Sequence, residues 1–416
     1  PLYGVKLNRK TFQPEGEAVP LIALNDDEHG WERFGENNDN TFMQPFMEGA
    51  FMTKYNNKYY LQYGGPGTEF SGYGDGLYVG DKPLGPFTYQ SHNPFSYKPG
   101  GFARGAGHGA TYQDSNEDYW HVSTIVIGTK NNFERRIGIW PAGFDKDDIL
   151  YSNTAYGDYP TYLPSEKKNH LDENFAGWML LNYNKAVQVS STLGGFQANN
   201  AVNEDIKTYW SAKSADKGEW LSTDLGEKST INAIQINFAD QDVTLMGKPE
   251  TTDGHKYIIY ASDNNKDWKV LIDKSKNDKD VPHDYIELKK PAQARYLKIV
   301  NMGMPTGKFA LSGFRAFGKG NGEIPKSVNN FVPLRSSPKV KGERRNVWFK
   351  WQQEPSADGY VIYFGKSPDK MYGAIMVYGK NEYYFNGLDR SDAYYFQIEA
   401  FNNNGIGART PIMKSE

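Results

Sequence analysis

A single carboxylate, Glu48, lies inside an otherwise apolar run that reads PFMEGAF over residues 45–51. Because removal from water disfavours the charged form of a carboxylate, such surroundings would favour its protonated form. A carboxyl group that keeps its proton near neutral pH is what a general acid requires. The alternative is a glutamate at a strand edge that faces solvent, and the local sequence leaves both interpretations open.

Three further side chains are of types that contact sugars. Trp31 and Arg33 lie in the segment HGWER, where an indole ring can stack on a pyranose and a guanidinium can bond its hydroxyls. The alternative for both residues is ordinary packing within a loop. His108 stands between two glycines, so it is either a functional imidazole or a turn residue with a satisfied ring.

The composition predicts an all-β chain of several domains. Aromatic residues make up 15% of the chain, with 29 Tyr, and there are 43 Gly and 22 Pro. Aromatic and β-branched runs broken by Gly, Pro, Asn and Asp are typical of strands and turns. The chain has 416 residues, whereas domains usually have about 100–150, so about two to four units are expected.

Charge and hydropathy exclude several classes of partner. The formal net charge is −3, so no field favours nucleic acid or an anionic membrane. No apolar run approaches the roughly 20 residues of a membrane span. The chain begins with Pro1 rather than Met, so we expect a processed or trimmed product that has lost any signal peptide. The absence of Cys is compatible with export of a bacterial protein.

Residues 1–164 contain a repeated sequence pattern that predicts short strands. One unit reads FMTKYNNKYYLQYGG and then DGLYVGDKPLGPFTY, and a second begins GATYQDSNEDYWHVST. Short strands in fours, repeating at about 50 residues, are typical of propeller blades. The segment supplies about two and a half blades, whereas a propeller has at least about four.

The sequence pattern changes after residue 164. Residues 165–183 form a polar connector, and 184–318 contain cleanly alternating strands such as AIQINFA, which a two-sheet sandwich requires. A Gly/Pro linker follows at 319–327. Residues 328–416 carry evenly spaced strands, which predict an immunoglobulin-like sandwich.

The first segment resembles the second half of a family 43 glycoside hydrolase, a five-bladed β-propeller. The resemblance rests on Glu48-Gly49, the strand KYYLQY at 58–63, the motif GHGAT at 107–111, and the pair Arg135-Arg136. It implies that Glu48 is the general acid, that His108 lies on the propeller axis and helps hold a central ion or water, and that Arg135 or Arg136 reaches the active centre.

The family mechanism is inverting hydrolysis, in which a base carboxylate activates water opposite the acid. By resemblance, the base Asp and the Asp that tunes the acid belong to blades with no counterpart in this chain. Asp75, Asp81 and Asp114 read as turn residues, and none is assigned as the base. We therefore expect a separate N-terminal fragment or chain to complete the propeller.

Residues 184–318 resemble the discoidin, or coagulation-factor type C, family, which includes carbohydrate-binding module family 32. The segments AVNED, TYWSA and FRAFG carry the resemblance, and Trp210 and Trp220 are expected in the core. The family loop around Asp205 and Thr208 often binds a structural Ca²⁺. Gly313 stands where the family usually has a glutamate.

Residues 328–416 resemble a fibronectin type III domain. Trp351, Leu388 and Tyr394 match its core positions, and the strand AYYFQIEAFNNNG matches its ending. In secreted bacterial glycosidases such domains usually act as spacers.

Together these resemblances predict a secreted, periplasmic or cell-surface bacterial glycosidase with an accessory carbohydrate-binding domain. The expected type is a β-xylosidase or α-L-arabinofuranosidase acting on plant or host glycans with xylose or arabinose ends, galactose ends being less favoured. No cofactor is required for the chemistry, and calcium would be structural. The alternative is a non-catalytic carbohydrate-binding or scaffold protein, because two of the three carboxylates have no counterpart.

Overall fold

The computed structural model describes residues 1–40, 42–128, 135–164, 175–243, 254–336 and 343–415. Within these ranges the chain is almost entirely antiparallel β structure, so the predicted all-β class is confirmed. Helical structure there is confined to two short 3₁₀ helices, Gly30–Glu32 and Ala198–Ala201. None of the described helices is long and apolar enough to span a bilayer.

The first unit consists of a hairpin and two four-stranded meanders. The hairpin pairs β1 (Leu2–Leu7) with β2 (Pro14–Ile22). The first meander contains β3 (Glu48–Tyr55), β4 (Lys58–Gly65), β5 (Gly74–Gly80) and β6 (Phe87–Tyr89). The second contains β7 (Arg104–Gln113), β8 (Tyr119–Val126), β9 (Arg135–Phe144) and β10 (Leu150–Ser152).

The two meanders meet along their first strands, β3 and β7. Asn56 and Asn57 connect β3 to β4 with φ values of 42° and 61°, which asparagine tolerates better than most residues. The tight turn holds β3 and β4 in register from Phe51 to Tyr55. This arrangement brings the start of β3 next to the middle of β7.

The middle unit is one large antiparallel sheet with short flanking strands. Its strands are β11 (Met179–Leu180), β12 (Val187–Val189), β13 (Trp210–Ser211), β14 (Trp220–Phe238), β15 (Lys256–Ser262), β16 (Lys269–Asp273), β17 (His283–Gly303) and β18 (Ala310–Lys319). Trp210 is fully buried, as expected. Trp220 is not, because Leu221 occupies the core side of β14 and alternation places Trp220 on the outer face. The prediction of a core role for Trp220 was wrong.

The last unit consists of two sheets that enclose a core. The first sheet contains β19 (Val332–Leu334), β20 (Val347–Lys350) and β23 (Glu382–Phe385). The second contains β21 (Gly359–Gly365), β22 (Gly373–Tyr378), β24 (Tyr394–Asn402), β25 (Gly405–Ile406) and β26 (Met413–Ser415). Trp351, Leu388 and Tyr394 are buried in this core.

The last unit packs directly on the first one. Nδ1 of His29 lies 2.9 Å from Oδ1 of Asp389, and Arg345 donates to the carbonyl oxygen of Asp27 at 2.6 Å. Elsewhere Lys370 bridges the two units by bonding Asp145 at 2.6 Å. A separate spacer would make few such contacts, so the spacer role expected from the sequence does not fit this arrangement.

Glu32 is fully buried beside this interface, where it bonds the Tyr63 hydroxyl and the N–H of Asn25. Because of this residue, the free energy of unfolding should fall between about pH 4.5 and pH 7. Burial raises the pKa of Glu32 from 4.5 to about 7. The folded chain therefore holds this proton more tightly than the unfolded chain does. The resulting stability is complete below about pH 4.5 and is lost as the pH rises through about 7. At about 1.4 kcal/mol per pKa unit, we expect a loss of about 3 kcal/mol.

Urea unfolding of the wild type and Glu32→Gln at pH 5 and pH 8 measures this effect. The glutamine does not titrate, and the Tyr63 hydroxyl can either donate to it or accept from it. Burial opposes protonation of His29, but the bond and charge of Asp389 together with the charge of Glu32 outweigh it and raise the pKa of His29. Glu32→Gln therefore also weakens the contribution of His29, which has the same sign as that of Glu32. An equal pH dependence in the two proteins would contradict the role of Glu32.

Candidate functional site

Glu48 begins β3 at an irregular point of the sheet. The register with β4 shifts between Glu48 and Phe51, and Gly49 has φ 66°, a conformation that glycine adopts without strain. The hydroxyl of Tyr73 donates to Oε1 of Glu48 at 2.7 Å, and Nδ1 of His108 lies 3.8 Å from Oε2. The Glu48 side chain is 41% exposed. The apolar enclosure expected from its neighbours in sequence is therefore not formed.

His108 projects from a distorted part of β7. Its φ is 54°, and the register with β8 shifts between Gly107 and Ala110. A Cβ atom on Gly49 would lie 2.9 Å from the His108 ring, so the glycine lets the two strands approach closely. The structure thus brings Glu48 and His108 together. No group of three metal-ligating side chains occurs among the described residues, and a central ion at His108 stays a prediction.

A buried Asp–His pair supports β7 from beneath. Oδ2 of Asp75 lies 2.8 Å from Nε2 of His121, and Nδ1 of His121 lies 3.0 Å from the Thr111 hydroxyl. Burial raises the pKa of Asp75, which His121 partly opposes. A Cβ on Gly109 would lie 2.5 Å from the Asp75 carboxylate. Sequence reasoning took Asp75 for a turn residue, whereas it lies in β5 and is fully buried.

The two arginines at the start of β9 differ in exposure, since Arg135 is partly buried and Arg136 is exposed. Burial and the bond to Glu48 raise the pKa of Tyr73, and the positive charge of Arg135 acts against that rise. Arg136 is exposed and donates to the carbonyl oxygen of Arg135 at 2.8 Å. Of the two candidates, Arg135 is the one whose charge acts on Tyr73.

Trp31 and Arg33 do not line a sugar pocket. Trp31 is fully buried, and its Nε1 donates to the hydroxyl of Tyr89 at 3.0 Å. Arg33 is 9% exposed and bonds Glu343 of the last unit at 3.0 Å. The structure buries both side chains, which contradicts the prediction that they bind substrate.

An open cleft of about 580 Å³ lies beside Glu48. Its walls come from Gly49–Phe51 of β3, His108–Ala110 of β7, Val122–Thr124 of β8 and Ile137 of β9. None of these lining residues carries a carboxylate, so Glu48 at the rim has no acidic partner among them. Ile137 is 74% exposed, which leaves an apolar side to the cleft.

The middle unit matches a known family, since residues 186–312 fit the sequence model of the F5/8 type C domain. The chain contains an F5/8 type C domain. The resemblance inferred for 184–318 is confirmed to that extent. No curated protein matches the chain.

Several solved structures are similar to parts of the chain. A glycoside hydrolase aligns at 19% identity and TM-score 0.37 over 75% of this chain, which spans 65% of that protein. Chitosan-binding module 1 of a chitosanase/glucanase from Paenibacillus sp. IK-5 aligns at 21% identity and TM-score 0.28, over 34% of this chain and 99% of the module. The family 32 carbohydrate-binding module of C. perfringens NanJ, solved with galactose, aligns at 18% identity and TM-score 0.28, over 34% of this chain and 98% of the module.

The residues present in the F5/8 type C domain do not fit the calcium that its family implies. Oδ1 of Asp205 lies 3.5 Å from Nη2 of Arg104, and Thr208 Oγ1 donates to the Asp205 carbonyl oxygen at 3.1 Å. At Gly313 a Cβ would lie 2.7 Å from the ring of Phe102, so no acidic side chain can occupy that position. Asp205 and Thr208 thus belong to a loop held by protein contacts.

A buried arginine occupies the space between this domain and the first unit. Arg315 bonds both oxygens of Glu204 at 2.9 Å, the carbonyl oxygen of Asp158 at 2.8 Å and Oε1 of Gln235 at 2.7 Å. Its guanidinium lies 4.5 Å from the ring centre of Phe102. Sequence reasoning counted Arg315 only as part of a family motif and missed its role as the cation that joins two units.

Proposed function

We propose that this chain is part of a glycoside hydrolase, with Glu48 as the general acid and the F5/8 type C domain as an accessory carbohydrate-binding module. The observation that carries the proposal is the contact of Glu48 with Tyr73 and His108 beside an open cleft, with the charge of Arg135 acting on Tyr73. The substrate class is a glycan with xylose or arabinose ends. The expected setting is the exterior of a bacterial cell.

The arrangement around Glu48 suits proton donation to a leaving oxygen. Tyr73 fixes one carboxyl oxygen, while the other remains accessible in the half-exposed side chain. His108 lies within reach of that second oxygen and of a sugar in the cleft. The positive charge of Arg135 acts on Tyr73. In such a site the acid is positioned by the strand irregularities of β3 and β7.

The base carboxylate would come from a further segment or chain that closes the cleft. An inverting enzyme needs a second carboxylate about 6.5–9.5 Å from the acid. The described lining residues supply none. The same observation favours the second candidate function, a carbohydrate-binding scaffold without catalysis.

We expect hydrolysis of phenyl xyloside and phenyl arabinofuranoside by this chain alone to be very slow, and azide to restore turnover. Azide would attack the anomeric carbon in place of activated water, the bond to the phenolic oxygen would break, and Glu48 would protonate that oxygen. The products are glycosyl azide and phenol, and solvent returns the proton to Glu48. Glu48→Gln should slow this reaction by about 10²–10⁴-fold, measured by release of phenol.

A dinitrophenyl leaving group needs no proton, so Glu48→Gln should change that rate only slightly. Glu17→Gln, an exposed glutamate on β2, is the matched control and should behave as the wild type. Absence of glycosyl azide from the wild type, or equal loss with both leaving groups, would contradict the role of Glu48. Fast hydrolysis without azide would show that the chain supplies its own base. A glycan array tests the binding function separately.

A further inference from the structure

Four aromatic side chains share the outer face of the F5/8 type C sheet. Trp220, Tyr260, Trp268 and Tyr296 are all partly exposed and surround Lys298 of β17. The residues on either side of Lys298 in β17 are fully buried, so Lys298 points away from the core. Tyr260 stands directly opposite Lys298 on β15.

The ammonium group of Lys298 lies close to two indole rings. Nζ lies 3.9 Å from the ring centre of Trp268 and 5.6 Å from that of Trp220. In the part of the chain that the structure describes, no carboxylate lies within 4.0 Å of it. Asp224, on the neighbouring strand, is already bound by Arg295 through two hydrogen bonds of 2.8 and 2.9 Å.

The aromatic rings and the ammonium group of Lys298 together favour one chemical class of ligand. Indole and phenol rings present flat faces that pack against the C–H face of a pyranose. Lys298 is partly buried, and this loss of solvation lowers its pKa. An anion placed there would gain more than it would at a fully hydrated lysine. An ammonium group among rings suits an acidic sugar better than a nucleic acid, which requires several cations.

We propose that this outer face binds an acidic glycan, with the carboxylate of a uronic acid at Lys298 and its pyranose ring against Trp268. The site lies on the sheet face of a different unit from Glu48. This proposal depends on the proposed function only in taking the ligand to be a carbohydrate.

Titration calorimetry of the full chain tests the proposal with trigalacturonic acid and with a xylo-oligosaccharide that bears glucuronic acid. At least one should bind, and its affinity should fall as salt is added. A neutral galactose trisaccharide should bind at least about tenfold more weakly, a difference of about 1.4 kcal/mol. Lys298→Met should weaken binding of the acidic ligand by at least about tenfold, and Trp268→Ala should do the same.

Lys350→Met is the matched control. Nζ of Lys350 lies 3.7 Å from the ring centre of Trp348 in the last unit, but this pair has one indole ring and stands opposite Glu382 across the strands. Its substitution should leave binding unchanged. Unchanged binding by a folded Lys298→Met variant, equal binding of the neutral sugar, or no binding of either acidic ligand would overturn the proposal.

Discussion

Replacing Arg315 with alanine should lower the free energy of unfolding by about 3–5 kcal/mol, because it leaves buried carboxylates without their cation. Arg315 is 1% exposed and binds Glu204 through both oxygens. Without it, Asp158 and Glu204 would share a dry interface with Lys98 as their remaining nearby cation. Burial already raises the pKa of Glu204, and Arg315 opposes that rise.

The effect should reach beyond the F5/8 type C domain. Arg315 bonds the carbonyl oxygen of Asp158 in the first unit, so its loss should also separate the two units. Limited proteolysis, together with urea unfolding, would detect this as earlier cleavage between them. Arg295→Ala is the control, because Arg295 makes an equally regular bidentate pair with Asp224 at the surface. A similar loss in both variants would show that burial of Arg315 is not the cause.

Replacing Trp31 with alanine should destabilise the first unit by about 3–5 kcal/mol, which is the usual cost of removing a buried tryptophan. The ring lies in the core with Tyr63, whose ring centre is 5.5 Å away. A Cβ added to Gly76 would lie 2.5 Å from the indole, so the ring fills its space tightly. The hydrogen bond to the Tyr89 hydroxyl would also be lost.

Urea unfolding measured by tyrosine and tryptophan fluorescence checks this prediction. Trp348→Ala is the matched control, since that indole is 42% exposed on the last unit and its removal should have a much smaller effect. A sugar-stacking role for Trp31 would give the opposite result, with weaker glycan binding and little change in stability.

Much of the strand architecture could be read from local patterns. The alternation in AIQINFA and YIIYAS predicts half-buried strands because successive side chains point to opposite faces, and β14 and β15 contain these segments. The Asn56-Asn57 turn likewise follows from local backbone preference. Glu48 and His108 were recognised by motif, and the structure brings them within 3.8 Å.

Side-chain environments were harder to predict, because they depend on segments far apart in the chain. Trp31 and Trp220 both have polar neighbours in the sequence. Trp31 is nevertheless fully buried, whereas Trp220 lies on an outer face. Arg33 contacts Glu343, about 310 positions away. No local pattern carries such information.

By itself the sequence determined the β class and the F5/8 type C domain and named Glu48 and His108 as separate candidates, since these depend on alternation, turn residues and motif spacing. The tertiary structure alone decided that Arg315 is buried between Glu204 and Asp158 and that Lys298 lies against two indole rings. Both outcomes depend on desolvation and on charges brought together by folding, which sequence neighbours do not reveal.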